Sequence, residues 1–351
     1  MLINKYLRSQ LGFHIFLVMA IAGIIDLMTA TLGEWSYGLQ GNYQALEAAW
    51  FILMTAPGRL YELFPLVVLI GCLTGLGALA NSSELTIIRA SGVSIFGLTY
   101  RIIIPVSMIL VFVGVIGELV LPELDKYAQA YRSQLSQTSK NTRYGVWHRE
   151  VGQFIYISSA TKDGHLEDVH ILGLKSNGMP EVQITSKSGE YVDNDWLLMD
   201  VEISRLGGGR LDLVEVDTWR WNTDLTPKQL QNLTVPPEKL SIFQLIDYVS
   251  YLNTQGVSTD KYQLALWNKM LMPVMALSLV IVAISFIFGP LREVATGTRV
   301  FVGVLIGLVL KMSQNILGPA SLIFGFSPVF SAVGPVMLTL IVGLFLLNRV
   351  F

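Results

Sequence analysis

"LFPLVVLIGCLTGLGALA", residues 63–80, is eighteen consecutive residues without a charge. A helix rises about 1.5 Å per residue, so a run of this kind nearly covers a hydrocarbon core about 30 Å thick. Inside that core only a helix closes its own backbone hydrogen bonds. The run makes up nearly all of a stretch from about 61 to 80, and five similar stretches occur at roughly 13–32, 102–121, 266–288, 300–318 and 330–348. Composition agrees: 52% of the 351 residues are hydrophobic, 14% are charged and the mean hydropathy is +0.54, too apolar for an ordinary soluble chain. Lys5 and Arg8 precede the first stretch as they would in a signal peptide. Its apolar part nevertheless runs to about twenty residues with no small-residue cleavage site after it, and it is read as retained. The expected fold is an α-helical integral membrane protein with six transmembrane helices in two groups of three.

Directly after the opening run comes "NSSELTIIRASGVS", residues 81–94. Asn81 can cap a short helix that has Glu84 in its first turn and ends at Gly92, with Leu85 and Ile88 on one face and Ile87 at its edge. Ten helical residues span only about 15 Å and cannot cross a membrane. The expectation is an apolar ridge, flanked by Glu84 and Arg89, that docks in a groove on another protein. A helix lying on lipid headgroups needs a basic polar face, which one arginine does not make. Lys5, Arg8, Arg89, Arg101, Arg292, Arg299 and Arg349 all fall on the side of this helix, while the short loops opposite hold only Arg59. The positive-inside rule therefore places the short helix and both termini in the cytoplasm. Trp35, Tyr37, Trp50, Tyr61, Tyr262 and Trp267 gather at the other boundary, where amphipathic rings settle.

Between the third and fourth stretches lies an insertion, 123–262, in which the apolar period changes. "QFIYIS", "VHILGL", "VQITS", "WLLMDVEISRL" and "LDLVEVDTWRW" are rich in β-branched and aromatic residues. Asp163-Gly164, Asn177-Gly178, Asn194-Asp195 and glycines 207–209 punctuate them. An inserted periplasmic all-β jelly-roll or sandwich domain is expected over 123–240. The only cysteine, Cys72, falls in the second membrane helix, so sheet packing rather than disulfides must hold this domain. Over 241–262, Ser241 and Gln244 form a capping box, Phe243, Ile246, Val249 and Leu252 follow at helical spacing, and Gly256 terminates. An amphipathic helix and linker should lead back to the membrane. The division is then 1–122 for helices one to three with the short helix at about 82–92, 123–240, 241–262, and 263–351 for helices four to six.

No phosphate-binding loop, H-E-x-x-H or G-x-S-x-G motif is present. His14, His148, His165 and His170 are too scattered for a metal site, so neither a catalytic nor a metal site is assigned. Three ionisable residues fall inside the membrane stretches: Asp26 roughly 20 Å from the inner boundary, Lys311 about 17 Å and Glu118 about 24 Å. Two readings of Lys311 stand. It pairs with Asp26 or Glu118 to fix helix packing, or it lines a cavity for an anionic headgroup. Gln314 and Asn315 continue its polar stripe, which lipid tails do not accept. Gly71 with Gly75, and Gly303 with Gly307, make small-x-x-x-small faces for close helix approach. Between helices four and five, Pro290 and Gly297 turn the chain, and positive-inside anchoring accounts for Arg292 and Arg299.

"SSELTIIRASGVS", "GVWHREVGQFIYI", "YQLALWNKM" and "SFIFGPLREVATGTRV", in this order, resemble the lipopolysaccharide export permease family LptF/LptG. The likeness runs over nearly the whole chain, and the LptG branch is the nearer. The resemblance implies a permease subunit of an ABC transporter in the inner membrane of a Gram-negative bacterium. It implies a heterodimer with the homologous permease LptF and a cytoplasmic LptB dimer that binds ATP and Mg, with no cofactor in this chain and no nucleic acid. Lipopolysaccharide would leave the outer leaflet and pass along joined jelly-rolls, through the bridge protein LptC and onward LptA. The coupling helix of the family matches Glu84, Leu85, Ile88, Arg89, Ala90 and Gly92. Some relatives carry lysines at the outer end of helix one where this chain has Asp26, Thr29, Thr31 and Glu34. Substrate phosphates would then need basic groups elsewhere, either Arg59, Lys126, Arg132 and Lys311 or residues of the partner permease, and the cavity candidates in this chain are these four with Asp26, Glu118, Gln314 and Asn315. The alternatives are the LptF-type subunit of the same transporter, and a membrane-anchored β-domain receptor or assembly factor without transport activity.

Overall fold

A computed structural model of the chain describes residues 2–350 apart from 38–43, 136–145, 151, 161–163, 176–178, 193–194, 208–209, 224, 228–229, 231–235, 255 and 290–293. It divides into a helical unit, drawn from both ends of the chain, and a second unit over Leu135–Tyr262.

The helical unit contains α1 (Leu2–Tyr37), α2 (Ala45–Asn81), α3 (Glu84–Ala90), α4 (Ile95–Leu119) and α5 (Leu121–Leu135). After the insertion come α7 (Asp260–Phe288), α8 (Thr296–Phe324) and α9 (Pro328–Val350), α6 being the helix in the insertion. Among the described residues six helices are long and apolar enough to cross a membrane: α1, α2, α4, α7, α8 and α9. They outrun the apolar stretches. The 37 residues of α2 span about 55 Å, because helical hydrogen bonding continues through the mixed sequence 45–60. The Glu47 carboxylate accepts from the Gln44 amide at 3.1 Å to secure the first turn.

Helix α2 is the hub. Val68, Leu69, Leu73 and Leu76 are fully buried among Leu7 and Leu11 of α1, Leu98 and Ile102 of α4, and Ala276, Val280 and Ile284 of α7. Both small-residue faces bear on it. A methyl group on Gly71 would lie 2.8 Å from the Ile15 Cα of α1, and one on Gly303 would lie 2.7 Å from Leu73. Gly307 likewise rests against Leu66. The spans of α1 and α8 are otherwise nearly bare.

The β-domain does not begin at 123 as expected. Residues 121–135 form α5, in which Leu121, Pro122, Asp125 and Ala128 are buried at a spacing of three to four residues, a helical rather than an alternating period. The second unit holds β1 (Val146–Glu150), β2 (Gln153–Ala160), β3 (His165–Leu174), β4 (Pro180–Val192), β5 (Asp195–Gly207), β6 (Arg210–Trp221) and α6 (Ile242–Thr254). The six strands form one antiparallel sheet in chain order, a meander. A second facing sheet, as a sandwich or jelly-roll would have, is not seen among the described residues. The apolar face of Ile155, Val169, Ile171, Trp196, Leu198 and Trp221 is covered by Leu225, Leu230 and Tyr251 instead. Trp196 Nε1 donates to the Leu225 carbonyl at 2.6 Å. Of the expected turn dipeptides, Asp163, Asn177, Gly178, Asn194, Gly208 and Gly209 lie outside the described residues.

One row across the sheet breaks its pattern. Ser158, Asp168, Lys187, Asp200 and Asp217 face one another in successive strands, and all five are left out of the cross-strand ladder. Asp168 and Asp200 both have φ of 52°. The buried parity switches at this row: Leu166 then Val169 on β3, Ser186 then Gly189 on β4, Leu198 then Val201 on β5. The Ser186 hydroxyl fills the crease, close to the carbonyls of Ser188 (2.7 Å) and Met199 (2.6 Å).

On α6 the capping box is present. Gln244 N donates to Ser241 Oγ at 3.2 Å, and Ser241 N to Gln244 Oε1 at 3.0 Å. The buried stripe is Leu245, Tyr248 and Leu252, while Phe243 and Ile246 are exposed. Two apolar stripes fit helical spacing on this segment. Tilted and edge-to-face packing of Tyr248 against Tyr251 and Tyr262 selects the one that contains the aromatics.

Candidate functional site: the α3 surface and the membrane charges

Two residues, Ser82 and Ser83, separate α2 from α3. Ser83 takes the left-handed conformation with φ 61°, and Gly92 stops the helix with φ 90°. The corner is hydrogen-bonded throughout, Ser82 N to Ala78 O and Ser83 N to Ala80 O, then Thr86 N and Ile87 N to Ser83 O, all at 3.1 Å. Ser82 Oγ donates to Glu84 Oε1 at 3.0 Å. Arg89 lies over the Phe288 ring at the end of α7, 5.8 Å from its centroid.

The expected docking ridge is turned inward. Leu85 and Ile88 are buried in the chain's own core. The reason is geometric: a seven-residue helix bent back against α2 has one face toward the bundle, and its two most apolar aligned positions take it. Thr86, Ile87, Arg89 and Ala90 are exposed, with Ile87 at 66%, and Glu84 is partly covered. Asn81 is not the cap of α3; it is the last residue of α2.

Arg299 also departs from its expected role. It does not face the cytoplasm as a simple anchor but is fully buried between α8 and α2, donating to the Gly77 carbonyl at 2.8 Å and to Asn81 Oδ1 at 3.0 Å. Arg292 lies outside the described residues.

The membrane charges are paired by helix. Arg59 Nε meets both carboxylate oxygens of Asp26, joining α2 to α1. Arg132 of α5 meets Glu34 of α1 at 3.3 Å and lies over the Phe51 ring. Lys269 of α7 meets Glu118 of α4 at 3.4 Å, and Lys126 meets Glu123 at 3.3 Å within α5. Lys311 therefore pairs with neither Asp26 nor Glu118, because Arg59 and Lys269 hold them. Its side chain is exposed on α8 beside partly covered Gln314 and exposed Asn315, with no ion pair among the described residues. Of the eight cavity candidates, Asp26 with Arg59 is the one pair brought together.

Lys269 was missed in the sequence although it lies in "YQLALWNKM", three residues beyond the expected start of the fourth stretch at 266. A cation that close to an apolar run is a signal that a carboxylate faces it. His165 and His170 each have a carboxylate neighbour, Glu190 at 3.3 Å and Asp168 at 3.2 Å. Among the described residues no group of three His, Cys, Asp or Glu side chains is placed to hold a metal ion. The arrangement offers helices tied by ion pairs, an unneutralised cation on α8, and a short exposed helix seated on the core.

Comparison with known proteins agrees. The family "Lipopolysaccharide export system permease LptF/LptG" matches residues 5–349. The chain is 30% identical to the lipopolysaccharide export system permease protein LptG of Escherichia coli (strain K12), over 99% of this chain and 97% of that one. It is 28% identical to the protein of the same name from Haemophilus influenzae (strain ATCC 51907 / DSM 11121 / KW20 / Rd), over 99% of this chain and 98% of that one. Six helices long and apolar enough to span a membrane and a family match over nearly the full length converge: the chain belongs to the LptF/LptG family of lipopolysaccharide export system permeases, multi-pass inner-membrane transporter subunits.

Proposed function

We propose that the chain is the LptG-type permease of an ATP-driven exporter, paired with an LptF-type permease, and that α3 is the surface on which a cytoplasmic ATPase of the LptB kind docks. The observation that carries this reading is the two-sided character of α3. Leu85 and Ile88 fasten it to the core, and Thr86, Ile87, Arg89 and Ala90 stand exposed. A helix fixed on one side and open on the other can receive a push and pass it to the bundle. The excess of basic residues at this end supports a cytoplasmic location for α3 and both termini, and hence a periplasmic β-unit. ATP and Mg are bound by the ATPase. The β-unit hands lipopolysaccharide to a bridge of LptC and LptA type, and Lys311 meets a phosphate of the lipid headgroup.

Ile87→Asp tests the docking surface, since it places a charge on the exposed face without entering the core. The ATPase should fail to co-purify with the permease pair, while the pair itself remains assembled and folded. Full co-purification with undiminished lipopolysaccharide release would remove α3 from the coupling path.

A further inference from the structure

We infer that Arg299 is a positioning residue that keys the inner end of α8 to the last turn of α2, so that α3 and α8 move as one body. The inference rests on the proposed docking of an ATPase on α3. A guanidinium that served only to anchor a helix end would lie in water, where it keeps its hydration. Arg299 is at 0% exposure, and its stem occupies the space where a side chain on residue 77 would be: a methyl group on Gly77 would lie 2.9 Å from Arg299 Cδ. The guanidinium donates to a backbone carbonyl, Gly77 O, and to a side chain, Asn81 Oδ1, one turn apart on α2. Asn81 completes the joint through its other end, Nδ2 facing Thr296 Oγ1 in the first turn of α8 at 3.4 Å.

The joint is consequential because α3 begins so soon after it. Only Ser82 and Ser83 lie between Asn81 and α3, and their amides are bonded back to Ala78 and Ala80, so the corner has no slack. Above the joint α8 rests on α2 through Gly303 and Gly307. Its other face is bare, with Leu308, Met312 and Ile316 all more than half exposed. Toward its far end α8 also meets Leu264 of α7 at Gly318 and Ser331 of α9 at Ser321, so movement of its base is passed along a continuous helix to those contacts. The 29 residues of α8 extend about 43 Å, so a tilt of about 5° at the joint moves the far end by nearly 4 Å. Lys311 lies along that lever.

The test uses the complete transporter in lipid nanodiscs, this permease with its partner permease and ATPase, and measures lipopolysaccharide released per ATP hydrolysed. Asn81→Leu removes the side-chain half of the joint and leaves the Gly77 carbonyl in place. Asn81→Asp keeps the acceptor for Arg299. With Asn81→Leu the complex should assemble and hydrolyse ATP at close to its usual rate while release per ATP falls about tenfold, a coupling loss of ordinary size. Asn81→Asp should retain coupling, and Arg299→Lys, which keeps the charge and loses the fork, should behave as Asn81→Leu. Unchanged release per ATP in both Asn81→Leu and Arg299→Lys overturns the inference. So does loss of assembly in Asn81→Leu, because the contact would then be structural only. If the unsubstituted complex itself shows release independent of ATP hydrolysis, the reading of α3 fails rather than the role of Arg299.

Discussion

Arg59 grips Asp26 across the α1–α2 seam, its Nε 3.0 Å and 2.9 Å from the two carboxylate oxygens. The same guanidinium donates to Thr55 Oγ1 and, at 3.2 Å, to the Ile52 carbonyl. The charge of Asp26 is thereby balanced from the neighbouring helix, and α1 carries no unpaired charge at this position.

Breaking that grip on one side should cost more than removing both partners. Arg59→Ala strands a carboxylate that is only 11% exposed and should lower the stability of the chain by about 2 kcal/mol, below the value for a fully buried pair because Arg59 itself is 25% exposed. Arg59→Gln combined with Asp26→Asn should recover most of the loss. Thermal unfolding in detergent measures both, and equal destabilisation by the single and double variants refutes the pairing as the source of the effect.

Lys311 gives the opposite expectation. With an exposed side chain and no ion pair among the described residues, Lys311→Gln should change the stability of the isolated chain by less than about 0.5 kcal/mol. In the assembled transporter the same change should reduce lipopolysaccharide release. Photocrosslinking from position 311 should yield an adduct containing the lipid; adducts to protein alone argue against a headgroup contact.

Neighbouring isoleucines on α3 should part company. Ile88→Ala opens a cavity in the core and should cost about 2–4 kcal/mol, whereas Ile87→Ala, at a position 66% exposed, should cost less than about 0.5 kcal/mol. The unfolding midpoints of the two variants decide the matter, and similar values would mean that α3 is not seated as described.

The α1–α2 seam tolerates little added volume. Gly71→Ala sets a methyl group 2.8 Å from the Ile15 Cα, where backbone rather than a pliable side chain must yield, and should cost about 1–3 kcal/mol. At Gly75 the nearest atom is the His14 Cβ at 3.3 Å, and alanine should be milder there. Melting temperatures in the reverse order would show that α1 rides on α2 at a different level.

In the β-unit, His148 makes stability depend on pH. Burial holds its imidazole below the usual histidine range, against a weaker opposing pull from the Glu150 carboxylate. Tyr251 stacks on the ring, and Nε2 has no hydrogen-bond partner among the described residues. A depressed histidine means that the unfolded chain binds the proton first as pH falls through about 6.5, the ordinary value. Stability is therefore complete above that pH and declines below it, at no more than about 1.4 kcal/mol per pH unit for one proton. Circular dichroism melts of the sheet at pH 7.5 and 5.5 measure the decline, which His148→Gln should reduce; an unaltered decline would assign it to other groups.

The six spans were legible because apolar run length is a one-dimensional quantity, and the capping box of Ser241 and Gln244 because it is local. Partner choice among charges was not. Asp26 is 33 residues from Arg59, and Glu118 is separated from Lys269 by the whole insertion, so only the folded bundle says which cation reaches which carboxylate. Leu85 and Ile88 show a second limit. Their spacing marks an apolar face correctly and is silent on whether that face meets a partner or the chain itself. On α6, Phe243 and Tyr248 both satisfied a stripe, and contact between aromatic rings made the selection.

The crease through Ser158, Asp168, Lys187, Asp200 and Asp217 restricts how this chain can vary in length. Strands β3, β4 and β5 each change there which of their alternate residues face the core, and they remain in step because they change at the same row. Deleting or inserting a single residue within β3, β4 or β5 would shift one strand's turnover point away from the others and present charged side chains to Trp196 and Val169. Length changes in this unit should therefore be confined to the turns between strands, or occur in adjacent strands together.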